Sequence, residues 1–433
     1  MKNILLKPMM TLALMVAMIL TGAANMQAQS VNMSRYITLT VESGKEIRLN
    51  LLAASTDTPI RIVSGSNTQD ITVGIDWYNG NTPSTFTVMA GSSAMTIYGD
   101  LAGFDCSSNE TYLTAFDISN NTALTELYCY DNQLASIDVS LNTALTNLDC
   151  GDNKLTSIDV SNNTALTYLY CAGNQLASLD ISKNTALTEL YCSGNPFASI
   201  DVSKNKSLTH LYCGGNKLTS LDISNNKALI VLNCYVNQIT SLDISKNTAL
   251  VALNCYVNRL TTLDISNNKA LEQLNCYGNN FSTTALDAIY CNLPNRNGKT
   301  MGRISPIYNS SSSDHTLVQA TTAGNAVAKN WKVHYFENNA EITTTGNYVC
   351  NNTAIADVQA AVAVSLYPNP VKDLLYAEAD GKVRSIRLYN IYGTEAASTA
   401  GTKQIDLSSL TAGVYAVCVE TDKGISVQRV VKR

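Results

Sequence analysis

The sequence predicts a mainly β fold built around a solenoid of about nine 21-residue coils. Three observations lead to this prediction. The hexapeptide LNCYVN occurs at residues 232–237 and 253–258, and the same step continues in both directions between residues 101 and 279. Each unit contains a short segment in which apolar and polar residues alternate, as in a strand with one buried face. Strand-like segments also flank the repeats, which predicts a β N-cap, an α/β C-cap and a C-terminal β-sandwich.

The units share the pattern L-x-x-L-x-C-x-x-N-x-L-x-x-L-D-I-S-x-N-x-A. Its opening part is that of a leucine-rich repeat, with cysteine at the third core position. Seven consecutive units between Leu124 and Ala270 contain no insertion or deletion, and the unit that begins at Leu101 carries two extra residues near Glu110. Because the strand-like segment returns at the same point of every coil, we expect a parallel sheet with about 4.8 Å between coils.

The repeated cysteine is interpreted as a buried structural ladder of reduced thiols. Cysteine behaves as a small hydrophobe, and a thiol fills the narrow interior of a short coil where leucine would overpack it. The coil spacing lies within the Cα range of disulfides, although an odd number of ladder cysteines prevents complete pairing. Metal binding or redox chemistry is the alternative use of these thiols. The ladder contains Cys129, Cys150, Cys171, Cys192, Cys213, Cys234 and Cys255, flanked by Cys106 and Cys276.

Asparagine recurs at two positions of each coil. A buried amide must find partners for two donor hydrogens and one acceptor oxygen. We expect backbone groups of the same and adjacent coils to supply them, so both asparagine ladders are interpreted as structural. The first ladder includes Asn132, Asn153, Asn174, Asn195 and Asn216, and the second runs from Asn121 through Asn142 to Asn268.

The repeats and the regions that flank them predict six segments in the chain. A basic start with Lys2 and Lys7, a short apolar run and small residues at Ala24 and Ala28 are typical of a secretory signal peptide, and this run is too short for a membrane span. The predicted organisation is a signal peptide at 1–28, a β N-cap at 29–100, the solenoid at 101–282, an α/β C-cap at 283–336, a linker at 337–364 and a C-terminal domain at 365–433.

Composition and motifs argue against catalysis and against nucleic-acid binding. The formal net charge of −5 provides no basic field for nucleic acid. The three histidines are widely separated, and the usual nucleophile, phosphate-binding and metalloprotease motifs are missing, so we predict neither an enzyme nor a cofactor. The recurring D-x-S-x-N could suggest calcium, but Asp and Ser side chains commonly bond nearby backbone amides in turns. We therefore expect no metal site.

Tyrosines line the strand positions on either side of the ladder cysteine, and these are the candidate ligand-binding residues. Tyrosine combines a large contact area with a hydroxyl group and is enriched at interfaces, although stacked rings can also simply stabilise parallel strands. The glycines Gly173, Gly194 and Gly215 are expected to leave shallow grooves between the rings. The candidate residues are Tyr128, Tyr168, Tyr170, Tyr191 and Tyr212 in the first half, and Tyr235, Tyr256 and Tyr277 in the second.

Two functions are consistent with such a surface. One is an adhesin-like protein whose tyrosine-lined sheet face binds a protein partner. The other is a glycan-binding module or structural spacer of the cell-surface matrix, in which rings stack on sugars. The shift of tyrosine from one side of the cysteine to the other favours a differentiated protein site, whereas the near-identical coils with LNCYVN favour a repetitive ligand or a spacer.

The repeat unit, with its cysteine ladder, resembles the cysteine-ladder leucine-rich repeats of bacterial internalins over residues 101–279. This resemblance implies a surface-exposed binding protein used in adhesion, biofilm formation or host contact. The chain departs from that family in having no LPxTG-like wall-sorting motif at its C-terminus.

Residues 365–433 resemble a different family. The segments SLYPNPVKDLLY, SIRLYNIYGTEA and IDLSSLTAGVYAVCVETDKGISVQRVVKR look like a type IX secretion sorting domain. The resemblance implies contact with the type IX machinery, secretion across the outer membrane, and a cell-surface or extracellular location without a membrane span in the mature protein.

Overall fold

A computed structural model describes residues 30–79, 82–83, 85–350, 363–390 and 395–433. The predicted signal peptide at 1–28 lies outside these residues. The chain divides into two compact units, Met1–Val349 and Cys350–Arg433. In the described part of the chain, none of the helices is long and apolar enough to span a membrane.

The first unit begins with an antiparallel N-cap, whose strands alternate buried and exposed residues. Strand β2 pairs antiparallel with β9, the first strand of the solenoid, so that the edge of the solenoid sheet is covered. The strands of the N-cap are β1 (Tyr36–Val41), β2 (Glu46–Ala53), β3 (Thr58–Ser64), β4 (Asn67–Val73), β5 (Tyr78–Asn79), β6 (Thr82–Pro83), β7 (Thr85–Met89) and β8 (Ala94–Tyr98). The first coil contains β9 (Leu101–Asp105) and β10 (Leu113–Asp117), and β10 pairs with β1 of the N-cap.

The solenoid confirms the predicted fold class. The sheet order runs from β9 directly to β11 and then through β18, and neighbouring strands pair in parallel without offset, as Leu127 with Leu148 and Leu148 with Leu169. Eight three-residue strands follow β9: β11 (Glu126–Tyr128), β12 (Asn147–Asp149), β13 (Tyr168–Tyr170), β14 (Glu189–Tyr191), β15 (His210–Tyr212), β16 (Val231–Asn233), β17 (Ala252–Asn254) and β18 (Gln273–Asn275).

The C-cap continues the same sheet with two further parallel strands and three short helices. Ser282 caps the first helix by accepting a hydrogen bond from the amide of Ala285. The elements are α1 (Thr283–Asn292), β19 (Gly302–Ile307), α2 (His315–Gln319), α3 (Gly324–Val327) and β20 (Trp331–Tyr335).

Residues 337–349, which the sequence analysis assigned to a linker, pack on this C-cap. Ile342 is buried and its amide donates to the carbonyl of Val333 at 3.1 Å. The amide of Gly346 donates to the carbonyl of Thr321 at 3.0 Å. The prediction of a linker beginning at residue 337 is therefore wrong for residues 337–349. This packing depends on one isoleucine and on backbone hydrogen bonds to residues distant in the chain, and neither produces a recognisable pattern in the sequence. Residues 351–362 lie outside the described residues.

The second unit consists of two antiparallel sheets that share a core containing Leu375, Ile386, Leu388, Val417 and Val419. One sheet has the order β21-β22-β25 and the other β24-β23-β26-β27. The strands are β21 (Val364–Tyr367), β22 (Leu374–Ala379), β23 (Val383–Tyr389), β24 (Glu395–Ala400), β25 (Gln404–Asp406), β26 (Gly413–Thr421) and β27 (Gly424–Lys432).

The interior of the coils contains the predicted cysteine ladder. All nine cysteines between Cys106 and Cys276 are free and fully buried. Burial raises the pKa of every one of these thiols, and that of Cys171 to about 12. The thiols are consequently uncharged in the native state and act as apolar side chains.

The two asparagine ladders differ in how completely their amides are bonded. In the first ladder, Asn153 donates through Nδ2 to the carbonyl of Cys129 in the preceding coil at 2.9 Å, and its Oδ1 accepts from the amide of Leu134 at 3.0 Å. In the second, Asn184 donates to the carbonyls of Val160 and Asn163, both at 2.9 Å, but its buried Oδ1 has no partner among the described residues. The expectation of complete bonding therefore holds for the first ladder only.

Candidate functional site

The candidate site is the sheet face, defined by two rows of side chains that flank the ladder cysteines. The leading row lies immediately before each cysteine and the trailing row immediately after it. The leading row contains Asp105, Tyr128, Asp149, Tyr170, Tyr191, Tyr212, Asn233, Asn254 and Asn275, and the trailing row contains Ser107, Tyr130, Gly151, Ala172, Ser193, Gly214, Tyr235, Tyr256 and Tyr277.

A first tyrosine stack occupies the leading row. The ring centroids of Tyr170 and Tyr191 are 5.3 Å apart, and those of Tyr191 and Tyr212 are 4.4 Å apart with an interplanar angle of 18°. Tyr168, two residues before Tyr170 on the same strand, lies 5.5 Å from Tyr191. All four rings are half-buried. Together they form a contiguous aromatic surface on three adjacent strands.

Two tyrosine rings of the sheet face, Tyr170 of this stack and Tyr235 of the trailing row, each lean over a glycine of the preceding coil. A Cβ added to Gly151 would come within 2.4 Å of Tyr170 Cε1, and one added to Gly214 within 2.6 Å of Tyr235 Cζ. Either contact is too close for a real side chain, so a larger residue would lift the ring off the sheet. Tyr170 and Tyr235 therefore each require a small trailing residue on the coil before.

The hydroxyl groups of the first stack remain protonated hydrogen-bond donors. Tyr191 donates to Glu189 Oε2 at 2.9 Å, while burial and the nearby Asp149 raise the pKa of Tyr168 to about 12. The stack thus offers ring surface and neutral phenols, with the Glu189 carboxylate at its margin.

A second tyrosine stack occupies the trailing row of the last three coils. Tyr235 and Tyr256 are 4.8 Å apart with an interplanar angle of 5°, and Tyr256 and Tyr277 are 4.6 Å apart. The C-cap covers the end of this stack, because Phe336 lies 4.8 Å and Tyr308 5.5 Å from Tyr277.

Tyr277 retains only 8% of its surface and is not an open contact residue, contrary to the prediction that it faces solvent. No pattern in the sequence indicates this cover, since Phe336 is far from Tyr277 along the chain.

Tyr128, at the opposite end, is also covered by a residue that sequence reasoning missed. Trp77 packs edge-to-face against it with ring centroids 5.5 Å apart. The Trp77 indole nitrogen and the Tyr128 hydroxyl both donate to Glu126 Oε2, at 2.9 and 2.8 Å. Trp77 lies in the N-cap, so only the folded structure brings it to the first coils.

The glycines predicted to leave grooves between the rings adopt a left-handed backbone conformation at the turn after the strand. Gly173, Gly194 and Gly215 have φ near +66°, the left-handed region that glycine tolerates without strain. The equivalent residues of other coils adopt the same conformation, including Asp152 at 49° and Val236 at 50°. The turn geometry demands this conformation in every coil, and the grooves between the rings stay a prediction.

The recurring aspartates of the D-x-S segment form backbone turns. Asp138 Oδ1 accepts from the amide of Ser140 at 2.9 Å, and the same bond recurs in the following coils. Within the described ranges, no group of three or more His, Cys, Asp or Glu side chains is placed to hold a metal ion.

Comparison with known proteins gives a family for the C-terminal domain. Residues 365–433 match the model of the secretion system C-terminal sorting domain. This match confirms the type IX sorting domain, and the chain is therefore secreted across the outer membrane to the cell surface. No curated protein matches the chain.

Among solved structures, the chain is similar to internalins of Listeria monocytogenes. The functional domain of InlJ, which includes a cysteine ladder, is 23% identical, with 80% of this chain and 94% of that chain covered and a TM-score of 0.43. Internalin C2 is 19% identical over 42% and 74% of the two chains, with a TM-score of 0.34. The internalin InlF is 19% identical over 54% and 86%, with a TM-score of 0.31.

Proposed function

We propose that this secreted chain is an adhesin-like surface protein that recognises a protein partner through the first tyrosine stack, Tyr168, Tyr170, Tyr191 and Tyr212. Its role would be in adhesion, biofilm formation or host interaction. The observation that carries the proposal is that these four rings are contiguous, half-exposed and mounted on rigid strands. Tyrosines of this kind bind with little loss of side-chain entropy and often dominate the binding energy of an interface.

Two features support the first stack over the second as the contact surface. Among the described residues, no ring of either cap contacts the first stack, whereas Phe336 contacts both Tyr256 and Tyr277 of the second. The first stack also lies beside carboxylates, which can set the orientation of a partner by charge. Structural stacking of the rings is compatible with this role, because a rigid aromatic surface requires no ordering when the partner binds.

The test is binding of the full exported chain to parallel panels of host matrix proteins, bacterial surface proteins and glycans. The triple variant Tyr170→Ala/Tyr191→Ala/Tyr212→Ala is expected to weaken binding of a protein partner by about 30-fold or more, as the loss of an interface hot spot does. The control is Leu141→Ala, which truncates an exposed apolar residue outside the two rows and is expected to bind as the parent chain does.

Circular dichroism of the triple variant establishes that the solenoid remains folded. Unchanged binding by a folded triple variant would overturn the proposal. Selective binding of glycans, lost in the triple variant, would instead assign the sheet face to a glycan-binding module.

A further inference from the structure

A cleft at the N-terminal end of the sheet face lies beside, but apart from, the first tyrosine stack. Its volume is about 390 Å³. The walls come from the N-cap and from the first three coils of the solenoid, so the cleft exists only where these two parts meet. It is lined by Arg48, Asn50, Trp77, Asp105, Tyr128, Tyr130 and Asp149.

Three aromatic rings form the apolar part of the cleft. Trp77 lies flat enough on the sheet that a Cβ on Gly103 would come within 2.5 Å of its ring. The ring planes of Trp77 and Tyr128 are nearly perpendicular, at 79°. Because Glu126 accepts hydrogen bonds from both the indole nitrogen and the Tyr128 hydroxyl, these two residues offer mainly ring surface to a ligand. Tyr130 adds a third ring that is 40% exposed.

The polar part of the cleft consists chiefly of acceptors. Asp105 accepts from the amide of Ser107 at 2.9 Å and from Asn50 Nδ2 at 2.6 Å. The second bond uses the amide nitrogen of Asn50. The amide oxygen of Asn50 is buried and has no hydrogen-bond partner among the described residues. Asp149 accepts from the amide of Gly151 at 3.1 Å through its Oδ1.

The electrostatic balance of the cleft is negative. Among the described residues of the lining, Arg48 is the one cation beside two carboxylates, and its side chain is exposed. Glu126 lies behind the aromatic wall, and Asp131 and Asp152 lie on the adjacent turns. Burial, reinforced by Asp152 and Asp105, raises the pKa of Asp149 to about 6, which indicates that its charge is incompletely compensated in the free protein.

We propose that this cleft binds a basic side chain of a protein partner, with a guanidinium group fitting best. A planar cation can stack on the rings of Trp77 and Tyr130 while its N–H groups donate to Asp105 and Asp149. The aromatic walls, the acceptor-rich floor and the net negative charge all select for a donor-rich cation over a neutral or anionic ligand. The inference rests on the proposed function, for which it specifies the chemistry of one partner contact.

The experiment uses the fluorescence of the full exported chain. The chain contains two tryptophans, and the other, Trp331, is fully buried in the C-cap, so Trp77 reports on the cleft. The probe is Nα-acetyl-arginine amide, titrated at pH 7.5. The matched control is Nα-acetyl-citrulline amide, which has nearly the same shape without the charge. The expected result is saturable quenching by the arginine probe and no saturation by the citrulline probe.

The isosteric double variant Asp105→Asn/Asp149→Asn is expected to weaken binding of the arginine probe by about tenfold or more, because two charge-assisted hydrogen bonds become neutral ones. Equal binding of both probes, or unchanged arginine binding in the double variant, would overturn the proposal. Saturable quenching by N-acetylglucosamine without any by the arginine probe would also overturn it, in favour of a saccharide site.

A variant outside the cleft separates this inference from the proposed function. Tyr191 belongs to the first tyrosine stack and does not line the cleft. The Tyr191→Ala variant is therefore expected to leave binding of the arginine probe unchanged. If the tyrosine triple variant retains its partner while the arginine probe still depends on Asp105 and Asp149, the proposed function fails and the cation site stands. If the triple variant loses its partner but the probe does not bind, the inference fails and the proposed function stands.

Discussion

In the N-terminal half of the sheet face, the carboxylates of Asp105, Glu126, Asp149 and Glu189 accompany the first tyrosine stack on strands β9 to β15. In the C-terminal half, on β16 to β18, neither row carries a charged residue. Asn233, Asn254 and Asn275 replace the leading tyrosines there and join amide to amide, while the tyrosines move to the trailing row. The ladder cysteine and the buried leucine two residues before it recur at every strand from β11 to β18 in both halves.

This difference shows how a repeat separates folding from surface chemistry. The inward positions alone determine the coil, so the outward rows can change from acidic and aromatic to neutral without altering the register of the sheet. The two halves also differ in their neighbours, since Phe336 of the C-cap contacts Tyr256 and Tyr277 in the neutral half, whereas the N-cap forms a cleft with the acidic half.

The largest expected effect tests the cover of the neutral half. Phe336→Ala removes a ring that packs against Tyr256, Tyr277 and Tyr308, and is expected to lower the free energy of unfolding by about 2 kcal/mol. Val327→Ala, at a side chain that is 51% exposed on α3, is the control and should change it by less than about 0.5 kcal/mol. Chemical denaturation measures both. A Phe336→Ala variant as stable as this control would mean that the cap does not secure the second stack.

A smaller effect is expected from exchanging turn residues between the two halves. Val236 and Val257 adopt the left-handed conformation at the turn where the adjacent coil has Gly215, and such a backbone costs a β-branched residue about 1–2 kcal/mol. Val236→Asn should therefore raise the free energy of unfolding by about 1 kcal/mol, because asparagine tolerates this region.

Gly215→Val is the reciprocal change and should lower the free energy of unfolding by about 1–2 kcal/mol through the same conformational cost. A Cβ at this position would meet its nearest atom at an ordinary 3.4 Å, so steric overlap adds little. Effects of the same sign in the two variants would contradict the strain argument.

The smallest effect concerns the acidic half and depends on pH. Asp149 has a folded-state pKa of about 6, above its ordinary value of 3.8, so the folded protein holds this proton more tightly than the unfolded chain does. The protonated Asp149 therefore stabilises the folded state at pH values below 3.8, and this stabilisation is lost as the pH rises through about 6. Asp149→Asn is expected to stabilise the protein by on the order of 1 kcal/mol at pH 7.5 and to have little effect at pH 3.5.

Asp138→Asn provides a control of opposite sign. The bonds from Ser140 lower the pKa of Asp138, so this carboxylate stabilises the folded state at pH values above its ordinary pKa. Denaturation of both variants across pH 3.5 to 7.5 measures the difference. A stabilising Asp138→Asn, or an Asp149→Asn effect independent of pH, would show that these two carboxylates do not differ as described.

The sequence alone was sufficient for the solenoid, the cysteine ladder, the sorting domain and the two rows of the sheet face. A fixed 21-residue period repeats every local preference in each coil, and a buried thiol or amide at one coil implies the same at the next. The positions of Tyr170, Tyr191 and Tyr212 in one stack follow from that period directly.

Only the tertiary structure decided which parts of the face are open. Trp77 reaches Tyr128, and Phe336 covers Tyr277, through contacts between the solenoid and its caps that no period encodes. The same holds for the cleft at the N-terminal end of the sheet face, which joins Arg48 and Asn50 of the N-cap to Asp149 of the third coil. A repeat determines its own interior because each coil packs on a copy of itself, whereas its ends pack on unrelated segments and are determined by the three-dimensional fit of those segments.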